Sequence, residues 1–224
     1  MDQVDVYQLQ EMFIAASDRL VESEPLLTQL DRMTGDGDHG IAMMTGFSAV
    51  KDTLENMPEF NGIVPLLTQI GTTLIDTIGG ASGVLFGTLF ISGARQLGHK
   101  HAMTATDFAQ LFNTGTEAIR QRGQAKLGDK TMLDALIPAS IALQTAANAG
   151  DSVESALRCA ATAAAKGVDA TKTMLASAGR AKAYADKSIG HSDAGATSSS
   201  ILINALADYA ENLANAQART HECQ

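Results

Sequence analysis

Asp31, Asp36 and Asp38 fall within eight positions of the stretch LDRMTGDGDHGIAMMT (30–45), with Gly35, Gly37 and Gly40 interleaved and His39 directly behind the last carboxylate. No hydrophobic period runs from Arg32 to Gly40, so the stretch is a loop. Three like charges on a short loop repel one another unless something positive sits among them. Hard oxygen donors without sulfur favour Mg²⁺ or Ca²⁺ over zinc. An EF-hand is excluded, because the fifth place counted from Asp36 is Gly40 and no Glu stands at the twelfth. The glycines let the backbone turn sharply and let a ligand approach it. The loop then enters a helix near Gly40, and helix starts attract phosphate. Carboxylates for a cation beside N–H groups for a phosphate point to a metal–nucleotide site, although Asp and Gly also build ordinary solvated turns.

Such a site needs a scaffold. The 224 residues are 45% hydrophobic and 18% charged, enough for one sizeable core. The net charge of −9 argues against broad nucleic-acid binding and against docking on anionic membranes. Cys159 and Cys223 make no disulfide framework, which fits a reducing cytoplasm. Met1–Gln10 shows no signal pattern, and the most apolar stretch, Gly79–Gly93, is too short and Gly-rich to span a bilayer. Aromatics reach only 4%, while Ala, Leu, Ile, Thr and Met dominate, the composition of an all-helical protein with small residues at helix contacts.

Apolar residues at three- and four-residue intervals predict a first helix from about Val6 to Val21, through Leu9, Met12, Phe13, Ala16 and Leu20. Pro25 opens a short helix that delivers Asp31 to the loop. A third helix covers Ile41–Glu55 and stops at Met57–Pro58. Pro65 starts a fourth, to Ile78. The Gly-rich loop IGGASG then feeds a fifth, to about Leu97. Thr104–Asp107 caps the sixth, ending near Arg122. The polar loop RGQAKLGDKT (122–131) precedes a seventh, Met132–Ala147, which contains Pro138. Asp151–Ser152 caps an Ala-rich eighth that bends near Gly167 and continues towards Ala176. A long polar segment, 177–197, precedes a last helix over Gly195–Ala216, and Ala218–Gln224 is expected to fray. No segment alternates convincingly as a strand. The expectation is therefore one all-α domain spanning 1–224, about eight antiparallel helices.

Antiparallel succession places alternate loops at one end. The Asp loop, the GGAS loop, the loop 122–131 and the end of 177–197 then share a rim. Taken together, GDGDHG, GGASGVLFGT, RGQAKLGDKTMLD and GRAKAYADKSIGHSDAGATS resemble, in this order and at these separations, the L subunit of bacterial dihydroxyacetone kinase, over roughly Val6–Leu213. That resemblance implies an eight-helix antiparallel barrel with ADP or ATP and Mg²⁺ at one rim. It implies that Asp31, Asp36 and Asp38 hold two Mg²⁺ ions. His39, Gly40, Ile41 and Ala42 would line the phosphates, and Ala81 and Ser82 would also contact the nucleotide. Gly123 and Met132 would lie nearer the base, with Arg180, Asp193, Ala194 and Gly195 closing the site. The chain departs from the family pattern in having Ala42 in place of Asn, and Met44 and Thr45 in place of a polar pair, so Ala42 is expected to contribute backbone only.

No base or substrate pocket stands out. His39 and His191 could serve but read more readily as structural, and His99, His101 and His221 read as surface residues. A missing substrate site fits a subunit. The resemblance implies a K subunit that holds dihydroxyacetone covalently on a histidine of its own. In one branch, ADP stays bound and is recharged by a phosphohistidine protein of the phosphoenolpyruvate phosphotransferase system. In the other, free ATP is exchanged. Alternatives are a kinase component for another ketose or a carrier-bound fatty acid, and a nucleotide-binding protein that docks on a transcription regulator. The number of copies, a homodimer included, is open at this level.

Overall fold

The computed structural model describes residues 1–57 and 59–222. Its elements are β1 (Gln3–Asp5), α1 (Val6–Glu22), α2 (Glu24–Thr34), α3 (His39–Asn56), α4 (Ile63–Thr77), α5 (Gly80–Ala94), β2 (Ala102–Thr104), α6 (Ala105–Gly123), α7 (Leu133–Asn148), α8 (Val153–Thr171), a 3₁₀ turn (Arg180–Tyr184), α9 (Ala185–Ser188) and α10 (Ala194–Glu222).

Local chemistry sets the helix starts. The Asp5 carboxylate accepts from the Gln8 N–H (2.9 Å) while the Gln8 side chain accepts from the Asp5 N–H (3.0 Å), a reciprocal cap on α1. Thr104 and Asp107 do the same for α6, and Ser152 caps α8. The periodic residues of the first helix, Leu9, Met12, Phe13, Ala16 and Leu20, are all fully buried.

Eight helices close a ring. Each packs on the next in the order α1, α3, α4, α5, α6, α7, α8, α10, and α10 returns to α1. Their polarity alternates around it. The starts of α1, α4, α6 and α8 gather at one end, where Val6 N–H donates to the His101 carbonyl (2.9 Å), Ile63 N–H to that of Lys100 (2.9 Å) and Val153 N–H to that of Met1 (3.1 Å). The starts of α3, α5, α7 and α10 lie at the other end. The interior is filled, with Phe13 edge-on to Phe90 (centroids 5.3 Å) and Phe47 edge-on to Phe86 (6.1 Å). Small residues permit close approach: a Cβ at Gly71 would stand 2.8 Å from the Gly87 carbonyl oxygen, and one at Gly87 2.6 Å from that of Gly71.

The all-α barrel agrees with the sequence, and several details correct it. A short antiparallel ribbon, β1 with β2, pairs Val4 with Met103; three residues per strand are too few to show alternation. α2 stands outside the ring, against α3 and α10. α8 runs through Gly167, whose Cα lies against the Asp134 carbonyl of α7, and ends at Thr171 rather than near Ala176. The segment expected as one loop after Ser177 holds the 3₁₀ turn and α9. α10 continues to Glu222, past the expected fray at Ala218. α3 closes at Asn56 with Met57 extended, while Pro58, Cys223, Gln224 and the His221 side chain lie outside the described residues. Among the described residues no helix is long and apolar enough to cross a membrane.

Candidate functional site

Four loops meet at the rim where α3, α5, α7 and α10 begin. The cleft there is lined by Asp31, Asp38 and His39 from the first, by Ala81 and Ser82 from the second, by Lys130, Thr131 and Met132 from the third, and by Arg180, Asp193, Ala194 and Gly195 from the connection before α10. Leu85 and Phe86 add apolar wall. Four helix N-termini thus aim their positive ends at one space; the N-cap residues of α3, α5 and α7 make no side-chain cap, although Asp31 takes the first N–H of α3 and Thr131 that of α7. Uncapped N–H groups at a cleft suit an anion such as phosphate.

Carboxylate oxygens of Asp31, Asp36 and Asp38 lie within 4.8 Å of one another. Arg180 reaches across to them: one Nη1 donates to Asp36 Oδ1 (2.6 Å) and to Asp38 Oδ2 (2.7 Å), and also meets Asp36 Oδ2. The guanidinium holds the Asp36 carboxyl below the usual carboxylate range, and the two carboxylates hold Arg180 above its ordinary value. One guanidinium against three carboxylates leaves two negative charges uncompensated. All donors are hard oxygens, so the set fits a divalent cation of the Mg²⁺ class. With Arg180 laid across it, the cleft encloses about 170 Å³, below the roughly 300–1,000 Å³ of small-ligand sites.

The interleaved glycines do different jobs. Gly37 takes φ +78°, whereas Gly35 is extended (φ −152°). Gly40 is needed for space, since a Cβ there would stand 2.4 Å from the Glu24 carbonyl oxygen of α2. His39 N–H donates to Asp31 Oδ2 (3.1 Å), locking the loop to the carboxylate that precedes it. Its buried ring lies between α10 and α5, with Nε2 2.9 Å from Ser198 Oγ and Nδ1 3.4 Å from Ser82 Oγ. Burial pushes its pKa down, which keeps the ring neutral and tethered. Burial also pushes the Asp193 carboxyl up, to about 7, while Asp193 Oδ2 accepts from the Ala196 N–H (2.7 Å).

Not every residue implied by the resemblance borders the cleft. Asp36 borders an adjoining depression with Arg180 and Tyr184. The Ile41 side chain is exposed and Gly40 packs on α2. The Ala42 N–H already donates to the Asp38 carbonyl (2.9 Å) and its methyl leans on the core. Gly123 sits at the exposed end of α6, away from the cleft lining. His191 is half-buried beside α9, and His99 and His101 are exposed.

Sequence reading missed two buried charges. Asp134 accepts from Gly128 N–H (2.6 Å) and Thr131 N–H (2.7 Å), shaping the loop before α7. Lys130 is 1% exposed, and its ammonium group donates to main-chain carbonyls of Thr171, Ser188 and His191 at 2.5–2.7 Å. Nothing in GDKT marks Lys130 as buried, because its partners lie 41 to 61 residues along the chain, whereas the partners of Asp134 are local and its spacing from Thr131 is that of an ordinary helix-start acid.

The DAK2 domain matches residues 33–208 of this chain. The ADP-binding subunit DhaL of the PEP-dependent dihydroxyacetone kinase of Escherichia coli (strain K12) is 40% identical over 186 residues, 83% of this chain and 88% of that one. The corresponding subunit of the PTS-dependent kinase of Lactococcus lactis is 34% identical over 190 residues, 85% and 90% of the two chains. An L-erythrulose kinase of Pectobacterium atrosepticum is 35% identical over 193 residues, but this chain spans only 33% of it. In three dimensions the chain is similar to the dihydroxyacetone kinase of C. freundii in complex with AMP-PNP and Mg²⁺, with TM-score 0.70 and 27% identity, covering 89% of this chain and 33% of that one. From motif order, barrel and these relatives alike, the chain belongs to the DAK2-domain family, the family of the ADP-binding subunits of dihydroxyacetone kinase.

Proposed function

We propose that this chain is the nucleotide- and Mg²⁺-binding subunit of a cytoplasmic dihydroxyacetone kinase, passing the γ-phosphate to dihydroxyacetone held by a partner K subunit, with its bound ADP recharged by a phosphohistidine protein of the phosphotransferase system. The observation that carries this reading is the meeting of four helix starts and the Asp31, Asp36 and Asp38 cluster at one rim.

When bound, the nucleotide and Mg²⁺ supply the transferable phosphoryl group and much of the charge neutralisation that phosphoryl transfer needs. The chain supplies placement. Asp31, Asp36 and Asp38 would hold the cations, two of them in this reading. The free N–H groups of Gly40, Ile41, Ala81 and Ser82 would orient phosphate oxygens at the starts of α3 and α5. Leu85, Phe86 and Met132 give an apolar wall for the base. Arg180 must leave Asp36 and Asp38 for a nucleotide to enter, and its guanidinium is then free to face the phosphates. His39 is poorly placed as a substrate base, since both its ring nitrogens already face hydroxyls, those of Ser198 and Ser82. Exposed apolar side chains near the rim, Met33, Ile41, Leu127, Leu175, Tyr184 and Ile189, suit docking of a partner that brings the acceptor.

Mixing the chain with a K subunit, dihydroxyacetone and either ATP or a phosphoenolpyruvate-fed phosphotransferase mixture tests the reading. Dihydroxyacetone phosphate formed only with the second donor is expected. Formation with free ATP would favour an exchanging kinase component instead, as would activity with a different ketose. ADP·Mg²⁺ binding without product under either donor would favour a regulatory interaction protein.

A further inference from the structure

A buried lysine usually pairs with a carboxylate. Lys130 instead places its ammonium among four main-chain carbonyls: Thr171 (2.5 Å), Ser188 (2.7 Å), His191 (2.7 Å) and, longer, Met174 (3.3 Å). Three donors therefore meet short acceptors, which offsets the cost of removing the charge from water. The acceptors belong to the two ends of the connection 172–193: Thr171 and Met174 at the close of α8, Ser188 and His191 just before α10. That connection carries Arg180 near its middle and Asp193 at its end. Asp129 adds a second tie, its carbonyl accepting from Ser177 N–H (3.2 Å) and its carboxylate from Ser177 Oγ (2.7 Å). Thr171 Oγ1 in turn accepts from the Asp193 N–H (3.0 Å). The residues following Lys130, Thr131 and Met132, line the cleft.

We infer that Lys130 is a positioning residue: its ammonium group gathers both ends of the 172–193 connection onto the loop before α7 and thereby sets where Arg180 and Asp193 stand over the cleft. The part that concerns nucleotide rests on the proposed function; the clamp itself does not.

Lys130→Ala removes the ammonium and leaves a space bounded by carbonyls that an ammonium ion can enter. Hydrogen exchange of the full chain is expected to quicken on the order of tenfold across 172–193, with α1, α3 and α4 unchanged. Ammonium chloride, but not tetramethylammonium chloride, restores protection. In the coupled transfer assay at saturating ADP·Mg²⁺, the turnover falls roughly ten- to a hundredfold because Arg180 is displaced. The loss in turnover exceeds the loss in nucleotide affinity, a split that a merely structural role would not produce. Lys130→Met, which keeps the stem's volume, gives the same readouts if Lys130→Ala does not fold. Unchanged exchange across 172–193 in either variant overturns the inference, as does quickened exchange that is uniform over the whole chain. If the parent binds no ADP·Mg²⁺, the proposed function fails, while the exchange and ammonium results still decide the clamp.

Discussion

Asp36 and Arg180 are both more than half exposed, so their ion pair adds little to stability. What the pair does is fill part of a charge deficit that a cation would fill better. Asp36→Ala is therefore expected to leave helicity and melting near those of the parent while abolishing Mg²⁺-dependent ADP binding, measured by circular dichroism and titration calorimetry. ADP·Mg²⁺ binding equal to the parent's would reduce the loop to a plain turn. Arg180→Ala is expected to have two opposing effects on binding, since it would remove both the proposed phosphate contact and a competitor for the carboxylates. Transfer should slow on the order of a hundredfold while ADP affinity changes by less; equal losses in both would make Arg180 a binding contact only. For Asp193 the sign follows from its folded-state pKa of about 7, above the ordinary value of 3.8. The folded chain binds the proton more tightly than the unfolded one, so this group erodes stability as pH rises from about 4 to about 7. Asp193→Asn should raise the melting temperature of the nucleotide-free chain at pH 8 more than at pH 4. An equal change at both would place the proton elsewhere.

Among the elements, α2 and α3 show how a glycine is chosen for space. Gly40 has no positive φ, yet a methyl there would enter the Glu24 carbonyl and the Thr28 hydroxyl. Gly40→Ala is expected to cost about 1–3 kcal/mol, read by urea denaturation, and to shift the Asp loop against α2. A cost near zero would mean that α2 yields freely. The same element limits what a sequence can say. Proline at its start and the apolar run Leu26, Leu27, Leu30 announce a helix, but not that it stays outside the ring. Three carboxylates in eight residues point to a cation or to a solvated turn by type and spacing, and the fold brings their oxygens within 4.8 Å of one another. Lys130 announces nothing, since the carbonyls that receive its ammonium group come from segments 41 to 61 residues away. The ribbon Gln3–Asp5 with Ala102–Thr104 was equally hidden, because pairing rather than pattern defines so short a strand.

The shared rim was legible through parity, and the closed barrel through the family resemblance. Helices that alternate in direction must gather every second loop at one end, and those loops held the Gly-rich and charged motifs. Closing the ring turns this topology into electrostatics, because four helix starts then share one rim, and the N-cap residues of three of them supply no side-chain cap of their own. Binding at that rim should stabilise the entire chain by mass action, about 2.7 kcal/mol at a ligand concentration one hundred times Kd. ADP with Mg²⁺ should accordingly raise the melting temperature, whereas ADP with a chelator should not; an equal rise with chelator would remove the cation from the account. The most direct measurement is a count of what the purified chain carries. Denatured and analysed by chromatography and metal emission, it should release one ADP and two Mg²⁺ per chain. No carried nucleotide, together with no Mg²⁺-dependent ADP binding when nucleotide is added back, would contradict the account.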